Sequence, residues 1–442
     1  MRFLSTRGGA GGASLEDAIQ HALAPDGGLY VPEALPRLDI STLPAGDNLP
    51  DIATAILAPF FEGSTLADAL PQIACDALNF PAPVVALGAQ RDASVLELYH
   101  GPTAAFKDFG ARFLGAGVEH LRPVPELDIP ERTILCATSG DTGSAVAAAF
   151  HGRARTRVIV LYPAGGVSAR QEQQLTCWGG NVEALRVCGT FDDCQRLAKA
   201  AFADTRLSAE HGLASANSIN LGRLLPQMSY YASASLTHSR ATRRWPSFIV
   251  PTGNLGNALA CVWARALGLP IDDIVLATNA NRTIPDFLAT GAYEPRPSIA
   301  TLASAMDVGD PSNMARLLAF AGDAAGVRRC VRAQSVDDAA IREEIAGTYR
   351  ESGRIACPHT ATALHVLRTM PEDERAGRDW IVVATAHPAK FERIIEPIIG
   401  RTVEVPATLA ALLDRPAHAT DIEPRLEALA AILRRNPPGG AA

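Results

Sequence analysis

From about residue 95 onward, short apolar runs alternate with Ala-rich stretches of helical length. Residues 95–98 read as a strand and 109–121 as a helix, then 133–137 as a strand and 143–150 as a helix. Strand patterns return at 157–162, 181–187, 248–250, 274–278 and 380–384, with a further helix at 257–267. Repetition of strand, turn and helix predicts an α/β fold whose sheets are mostly parallel and covered on both faces. Ligands in such folds sit at the carboxyl ends of strands, so the turns there are where function should lie.

Composition narrows the classes. The 442 residues allow two or three domains, and 48% apolar against 20% charged residues is a globular balance. Forty basic against 47 acidic residues give a net charge of −7, which excludes a nucleic-acid binder held by bulk positive charge. The arginines at 153, 155 and 157, and those at 240, 243 and 244, read as solvated loops. The eight cysteines form no C-x-x-C and no zinc-finger spacing, so buried free thiols and no metal site are expected. No apolar run reaches the roughly 18 residues of a membrane span, and the first residues lack the apolar core of a signal peptide. The expectation is a cytoplasmic protein without membrane or nucleic-acid partners. Before residue 80 the chain reads as helices with Pro-rich connections, opened by a capping box at Ser14-Leu15-Glu16-Asp17. Pro81-Ala82-Pro83 reads as a boundary, and residues 8–12 and 437–442 as flexible low-complexity stretches.

Four turns are too polar and too Gly-rich for connectors. In His100-Gly101-Pro102-Thr103-Ala104-Ala105-Phe106-Lys107-Asp108-Phe109 a lysine stands between two phenylalanines at a helix start. An apolar pocket and a helix N-terminus both disfavour the ammonium form, and a neutral amine can form a Schiff base with a carbonyl. A surface lysine lying over Phe rings fits the same spacing. In Thr138-Ser139-Gly140-Asp141-Thr142-Gly143 hydroxyls and N–H groups converge as they would on a carboxylate or phosphate, or as in an ordinary N-cap turn. Pro251-Thr252-Gly253-Asn254-Leu255-Gly256-Asn257 lets the backbone approach an anion, yet it is neither a Walker A loop nor a G-x-G-x-x-G fingerprint. A tight strand-to-helix turn is its alternative. In Ala384-Thr385-Ala386-His387-Pro388-Ala389-Lys390 the hydroxyl of Thr385 can face a bound ring or cap a helix.

Together a lysine in an apolar turn, a Gly-rich anion loop and a hydroxyl at a third strand end suggest a pyridoxal phosphate site. With these turns go Ser5-Thr6-Arg7-Gly8, residues 23–32 (Leu-Ala-Pro-Asp-Gly-Gly-Leu-Tyr-Val-Pro), Ser215-Ala216-Asn217-Ser218-Ile219-Asn220 and Ser304-Ala305-Met306-Asp307-Val308. In this order along nearly the whole chain, the blocks resemble the threonine synthases, pyridoxal-phosphate enzymes of the tryptophan-synthase-β-like fold type II. The resemblance implies two open, mostly parallel sheets with a mainly helical N-terminal segment. It divides the chain into an N-terminal domain (1–95), a large cofactor domain (96–127 and 245–405), a small substrate domain (128–244) and a C-terminal segment (406–442).

It also implies roles. Lys107 is the Schiff-base lysine, and the backbone of Gly253, Asn254, Leu255, Gly256 and Asn257 cradles the cofactor phosphate. Thr385 faces the pyridine nitrogen, and Thr138, Ser139, Gly140, Asp141 and Thr142 hold the substrate α-carboxylate. The family loop often reads Gly-Asn-Phe-Gly-Asp, from which Leu255 and Asn257 depart. The family's substrate, O-phospho-L-homoserine, brings a second phosphate. Asn217, Ser218, Asn220 and Arg223 are its expected site, although without the resemblance Arg223 reads as a surface ion-pair partner. The implied reaction removes the α-proton and then a β-proton, expels phosphate from the γ-carbon and adds water at the β-carbon. Within the class the rivals are a serine/threonine dehydratase or an O-acetylserine sulfhydrylase. Outside it stands a catalytically inert phosphometabolite-binding homologue. A monomer or a homodimer is equally compatible with the sequence. His359 reads as a capping or packing residue, the 304–308 block as a packed helix or gate, and 422–435 as a helix on the core.

Overall fold

A computed structural model describes residues 1–9, 11–88, 93–121 and 132–435. The tail at 437–442, Ala10 of the Gly-rich stretch and the expected boundary at 127/128 lie outside the described residues. The strands are β1 (Phe3–Ser5), β2 (Tyr30–Pro32), β3 (Val84–Ala86), β4 (Ala93–Glu97), β5 (Arg132–Ala137), β6 (Thr156–Pro163), β7 (Val182–Val187), β8 (Leu213–Ser215), β9 (Pro246–Pro251), β10 (Ile274–Thr278), β11 (Arg332–Ser335), β12 (Asp379–Ala384) and β13 (Thr420–Ile422). A six-stranded sheet has the order β11-β10-β9-β12-β4-β3, parallel except for β3 against β4. A five-stranded sheet, β13-β7-β6-β5-β8, is parallel throughout. The α/β class and the two open, mostly parallel sheets are thus as expected.

Strands covered on both faces favour near-continuous apolar runs, and β6 (Thr-Arg-Val-Ile-Val-Leu-Tyr-Pro), apolar from Val158 onward, is buried from end to end. The helix Lys107–His120 packs on the helix Asp141–Phe150 and so joins the two sheets. Gly115 permits this, since a Cβ there would lie 2.9 Å from the Ala149 carbonyl oxygen. One apolar cluster runs from Ile52, Ile56 and Phe60 of the N-terminal helices through Phe109 and Phe113 to Ile134, Val158 and Phe248 of both sheets. Each such side chain contributes roughly 1.5–3 kcal/mol on burial.

The capping box at Ser14 is formed with Asp17 and opens the helix Leu15–His21. The antiparallel pairing of β1 with β2 was not legible in a segment read as helical. At the far end β13 pairs with β7, and the helix Leu426–Leu433 buries Leu429, Ile432 and Leu433 against the smaller sheet. Two expectations are corrected. Arg157 is no loop residue: it is 4% exposed, pairs with Glu183 at 2.6 Å and donates to the carbonyls of Ile432, Leu433 and Arg435. Cys75 and Cys188 are exposed, whereas five of the other thiols are buried. No described helix is long and apolar enough to cross a membrane.

Candidate active site

Three neighbouring strands of the larger sheet, β9, β12 and β4, lead at their carboxyl ends into the loop at 252–255, Thr385 and the turn before Lys107. Two neighbours of the smaller sheet, β5 and β8, lead into residues 138–140 and 216–220. Lys107 is the first residue of its helix. The turn ahead of it is tightly specified. Ala104 sits in the left-handed region (φ +55°), a costly conformation for a residue with a Cβ. Buried Asp108 accepts from the Thr103 N–H at 2.9 Å and its hydroxyl at 2.6 Å. Only glycine fits at 101, where a Cβ would lie 2.5 Å from Asp108 Oδ2. Ala105 bridges Ala386, the Phe106 N–H donates to the Thr385 carbonyl at 2.8 Å, and the His387 N–H donates to Ala104 at 3.0 Å. These bonds pin the Thr385 turn to the lysine turn.

Lys107 is half-buried, lies 5.7 Å from the Phe106 ring centroid and makes no ion pair among the described residues. Burial pulls its pKa down to about 8. The charges of Arg223 and Lys390 act in the same sense, while Asp141 and Cys136 oppose them. Arg223, on the short helix Leu221–Leu224, is 3% exposed and is therefore no surface ion-pair residue. Its Nη1 donates to the Ala216 carbonyl at 2.7 Å, and its buried Nε has no partner. Burial draws its pKa down to about 10. A guanidinium so placed, with no carboxylate paired to it among the described residues, calls for an anion.

At the end of β9 the loop is held so that its backbone is what remains available. Leu255 is left-handed (φ +61°) and precedes the helix Gly256–Ala266. A left-handed residue at a helix start turns successive N–H groups inward, a concavity suited to phosphate oxygens. Asn254 donates to Ser218 Oγ at 2.6 Å and accepts from the Ser312 N–H at 2.5 Å. Asn257 bonds back onto its own turn, donating to the Pro251 carbonyl at 3.0 Å and accepting from the Thr252 hydroxyl at 2.7 Å.

On the smaller sheet, Thr138 Oγ1 accepts from the N–H groups of Gly140 at 2.9 Å and Gly143 at 2.8 Å, and Gly140 has φ +129°. Asp141 pairs with Lys390 at 2.8 Å and accepts from Gln171 at 3.1 Å. Burial works to raise the Asp141 pKa, but the charges of Lys390 and Lys107 hold it far below the usual carboxylate range. Ser139 and Thr142 are half-buried. Asn217 donates to the Ala137 carbonyl at 2.9 Å, and Ser218 meets Asn254. Asn220 departs from expectation. It is 1% exposed, accepts from the Gly222 N–H and donates to the carbonyls of Ile19 and Ser215, so its side chain shapes the turn from within the backbone.

Further residues shape the site: the 304–308 block packs as a helix, as expected, whereas the roles of Cys357 and Arg316 were not legible in the sequence. The 304–308 block forms a 3-10 helix, Ser304–Met306, laid on the β9 loop, and a Cβ at Gly253 would lie 2.7 Å from Met306 Cα. Asp307 anchors that block by accepting from Thr301 and Asn279. Cys357, not His359, caps the helix Pro358–Thr369. His359 is 3% exposed and accepts from the Ala305 N–H through Nε2 at 3.1 Å. Burial pushes its pKa down to about 4, aided by Lys107 and Lys390 and opposed by Asp141. Fully buried Arg316 ties the block's far side, donating to Tyr30, Ser218, Ile219 and Asn313. Gly253 in the β9 turn was the available signal for the approach of Met306.

A suppressed lysine, an inward-turned loop at a helix start and an orphaned buried guanidinium fit a phosphorylated aldehyde cofactor beside an anionic substrate. Fold and site together define a pyridoxal-phosphate-dependent enzyme of fold type II, and the family model "Pyridoxal-phosphate dependent enzyme" matches residues 83–386. Models for the threonine synthase N terminus and C-terminal part match residues 2–78 and 360–433. The chain is 38% identical to threonine synthase of Escherichia coli over 408 residues, covering 91% of this chain and 92% of that protein. It superposes on the solved pyridoxal-phosphate-bound threonine synthase of Brucella melitensis with a TM-score of 0.89 and 35% identity, covering 98% and 99% of the two chains. For the yeast threonine synthase structure the TM-score is 0.89 and the identity 30%, with 98% of each chain covered. The chain belongs to the threonine synthase family of pyridoxal-phosphate-dependent lyases.

Proposed function

We propose that this enzyme converts O-phospho-L-homoserine and water into L-threonine and inorganic phosphate, with its cofactor attached at Lys107. Bound there, pyridoxal phosphate supplies the electron sink for the charge left when the substrate loses its α- and β-protons. The residues of the chain do the rest. Lys107, with its amine depressed by burial, is the general base at the α-carbon. The backbone amides of residues 253–257 hold the cofactor phosphate. Thr385 offers the ring nitrogen a hydroxyl, which adds no charge there and keeps the sink mild. Ser139, Gly140 and Thr142, in the turn shaped by Thr138, take the α-carboxylate. Asn217, Ser218 and Arg223 receive the substrate phosphate, with Asn220 fixing their turn. We assign the cofactor to a domain of residues 96–127 and 245–405, the substrate carboxylate to residues 128–244, and flanking roles to 1–95 and 406–442. On this reading the enzyme works in the cytoplasm as a monomer or homodimer on small molecules alone.

The observation that carries the substrate assignment is Arg223, buried beside Lys107 with an unpartnered Nε and no paired carboxylate among the described residues. The test is release of phosphate from O-phospho-L-homoserine with threonine identified as the product. Arg223→Ala is expected to lower kcat/KM at least tenfold with the cofactor absorbance intact. Unchanged kinetics would remove Arg223 from the site, and absence of threonine would overturn the reaction.

A further inference from the structure

Of the 40 basic residues only three are lysines, at 107, 199 and 390, and two of them lie at this site. Lys390 follows Thr385 in the 3-10 helix Pro388–Phe391 and is fully buried. Its Nζ lies 2.8 Å from Asp141 Oδ1 and donates to the Thr103 carbonyl at 2.8 Å. One ammonium thus joins the turn before Lys107, the Asp141 turn of the other sheet and the turn after β12. Gln174 donates to the same Thr103 carbonyl at 3.1 Å, and Gln171 to Asp141. A compact point charge suits this three-way junction in a way that a planar guanidinium does not.

The position of Asp141 needs explaining. A carboxylate in a turn that receives the substrate's carboxylate works against binding, because like charges in a buried site repel strongly. Its charge also acts on Lys107, favouring the ammonium form. The charged and titratable groups around Lys107 are Asp141 on the negative side, Arg223 and Lys390 on the positive side, and Cys136; His359 is nearby. Buried Asp108, next in the chain, is turned into the Thr103 N–H and hydroxyl, and burial raises its pKa although Lys390 opposes this. Asp141 is the carboxylate whose charge acts on Lys107, and Lys390 is the cation paired with it.

We propose that Lys390 is a positioning residue that cancels the charge of Asp141, so that Lys107 is not held as an ammonium paired to a carboxylate and the 138–142 turn accepts an anion. The inference rests on Lys107 being the cofactor lysine. Asp141 in turn supplies the acceptor that draws the lysine turn, the β5 turn and the β12 turn together. A neutral pair would meet the geometric need less firmly, since a charge-assisted bond is about twice as strong as a neutral one.

The test uses the full-length chain freed of cofactor. Uptake of pyridoxal phosphate is followed by absorbance from about pH 6 to about pH 9.5, spanning the range over which a depressed lysine titrates. Only the neutral amine captures the aldehyde, so the uptake rate reports the Lys107 titration. Lys390→Met is expected to move the midpoint up by about one pH unit, a tenfold loss of rate on the acid side. Asp141→Asn is expected to move it down, and the double variant to return it close to the parent value. Midpoints unchanged in both single variants, or displaced in the same direction, would overturn the proposal and leave Lys390 as a structural tie. The opposite sign expected from Asp141→Asn keeps the test decisive should Lys390→Met fail to fold. Borohydride reduction and peptide mapping separate the underlying reading: with three lysines in the chain, a label at 199 or 390 would displace Lys107 itself.

Discussion

Gly110, one turn into the lysine helix, rests against the backbone of Arg223, where an added Cβ would lie 2.6 Å from the carbonyl oxygen. This contact sets how closely the orphaned guanidinium approaches Lys107. Helix propensity alone makes Gly110→Ala stabilising by about 1 kcal/mol. The contact predicts the reverse. The variant should have a lower urea midpoint and a KM for the phosphorylated substrate raised several-fold, with cofactor absorbance retained. A more stable protein with parental KM would show that the spacing is immaterial.

Gly253 offers a second close contact. Alanine there would drive a methyl group into the Met306 backbone, at 2.7 Å from Cα and 3.0 Å from the carbonyl carbon and oxygen. The Ser304–Met306 turn must lift, and the loop beneath it loses its cover. Fluorescence titration should find pyridoxal phosphate bound at least tenfold more weakly, and hydrogen exchange at 304–306 should accelerate. Parental affinity with unchanged exchange would contradict the packing.

The buried His359 makes stability depend on pH. Its pKa is lowered to about 4 in the folded chain, against about 6.5 when unfolded. A lowered histidine pKa contributes stability that is fully present above pH 6.5 and is lost as the pH falls toward 4. The total at stake is about 3 kcal/mol. His359→Gln, which keeps an acceptor for the Ala305 N–H, should flatten this dependence. Urea midpoints at neutral and mildly acidic pH provide the measurement, and equal slopes for parent and variant would refute the assignment.

The sheets were legible because strands covered on both faces carry near-continuous apolar runs, as β6, β9 and β12 do after their first one or two residues. The short strands β11 and β13 were not, since edge strands of four and three residues, with one buried residue between them, carry no such run. Lys107 announced itself through its two phenylalanine neighbours and the Gly-Pro turn. Asn220 was misread because an asparagine that caps a turn and one that binds a ligand look alike until their partners are known. The burial of Arg223 was not legible, because it depends on Gly110 letting the backbone of residue 223 approach the lysine helix. Lys390 stood inside a motif already singled out, yet only its contact with Asp141, 249 positions earlier, gives it a task.

Arg316 donates its Nε–H to the carbonyl of Tyr30, a residue 286 positions before it. A ribosome adding about 5–20 residues per second needs roughly 15–60 seconds to deliver that partner. During this interval the amino-terminal strand pair lacks the buried cation that fastens it to the body of the enzyme. The first segment to be synthesised is among the last to be locked, so products truncated before position 316 are left with a loose leading end for proteases and chaperones to find.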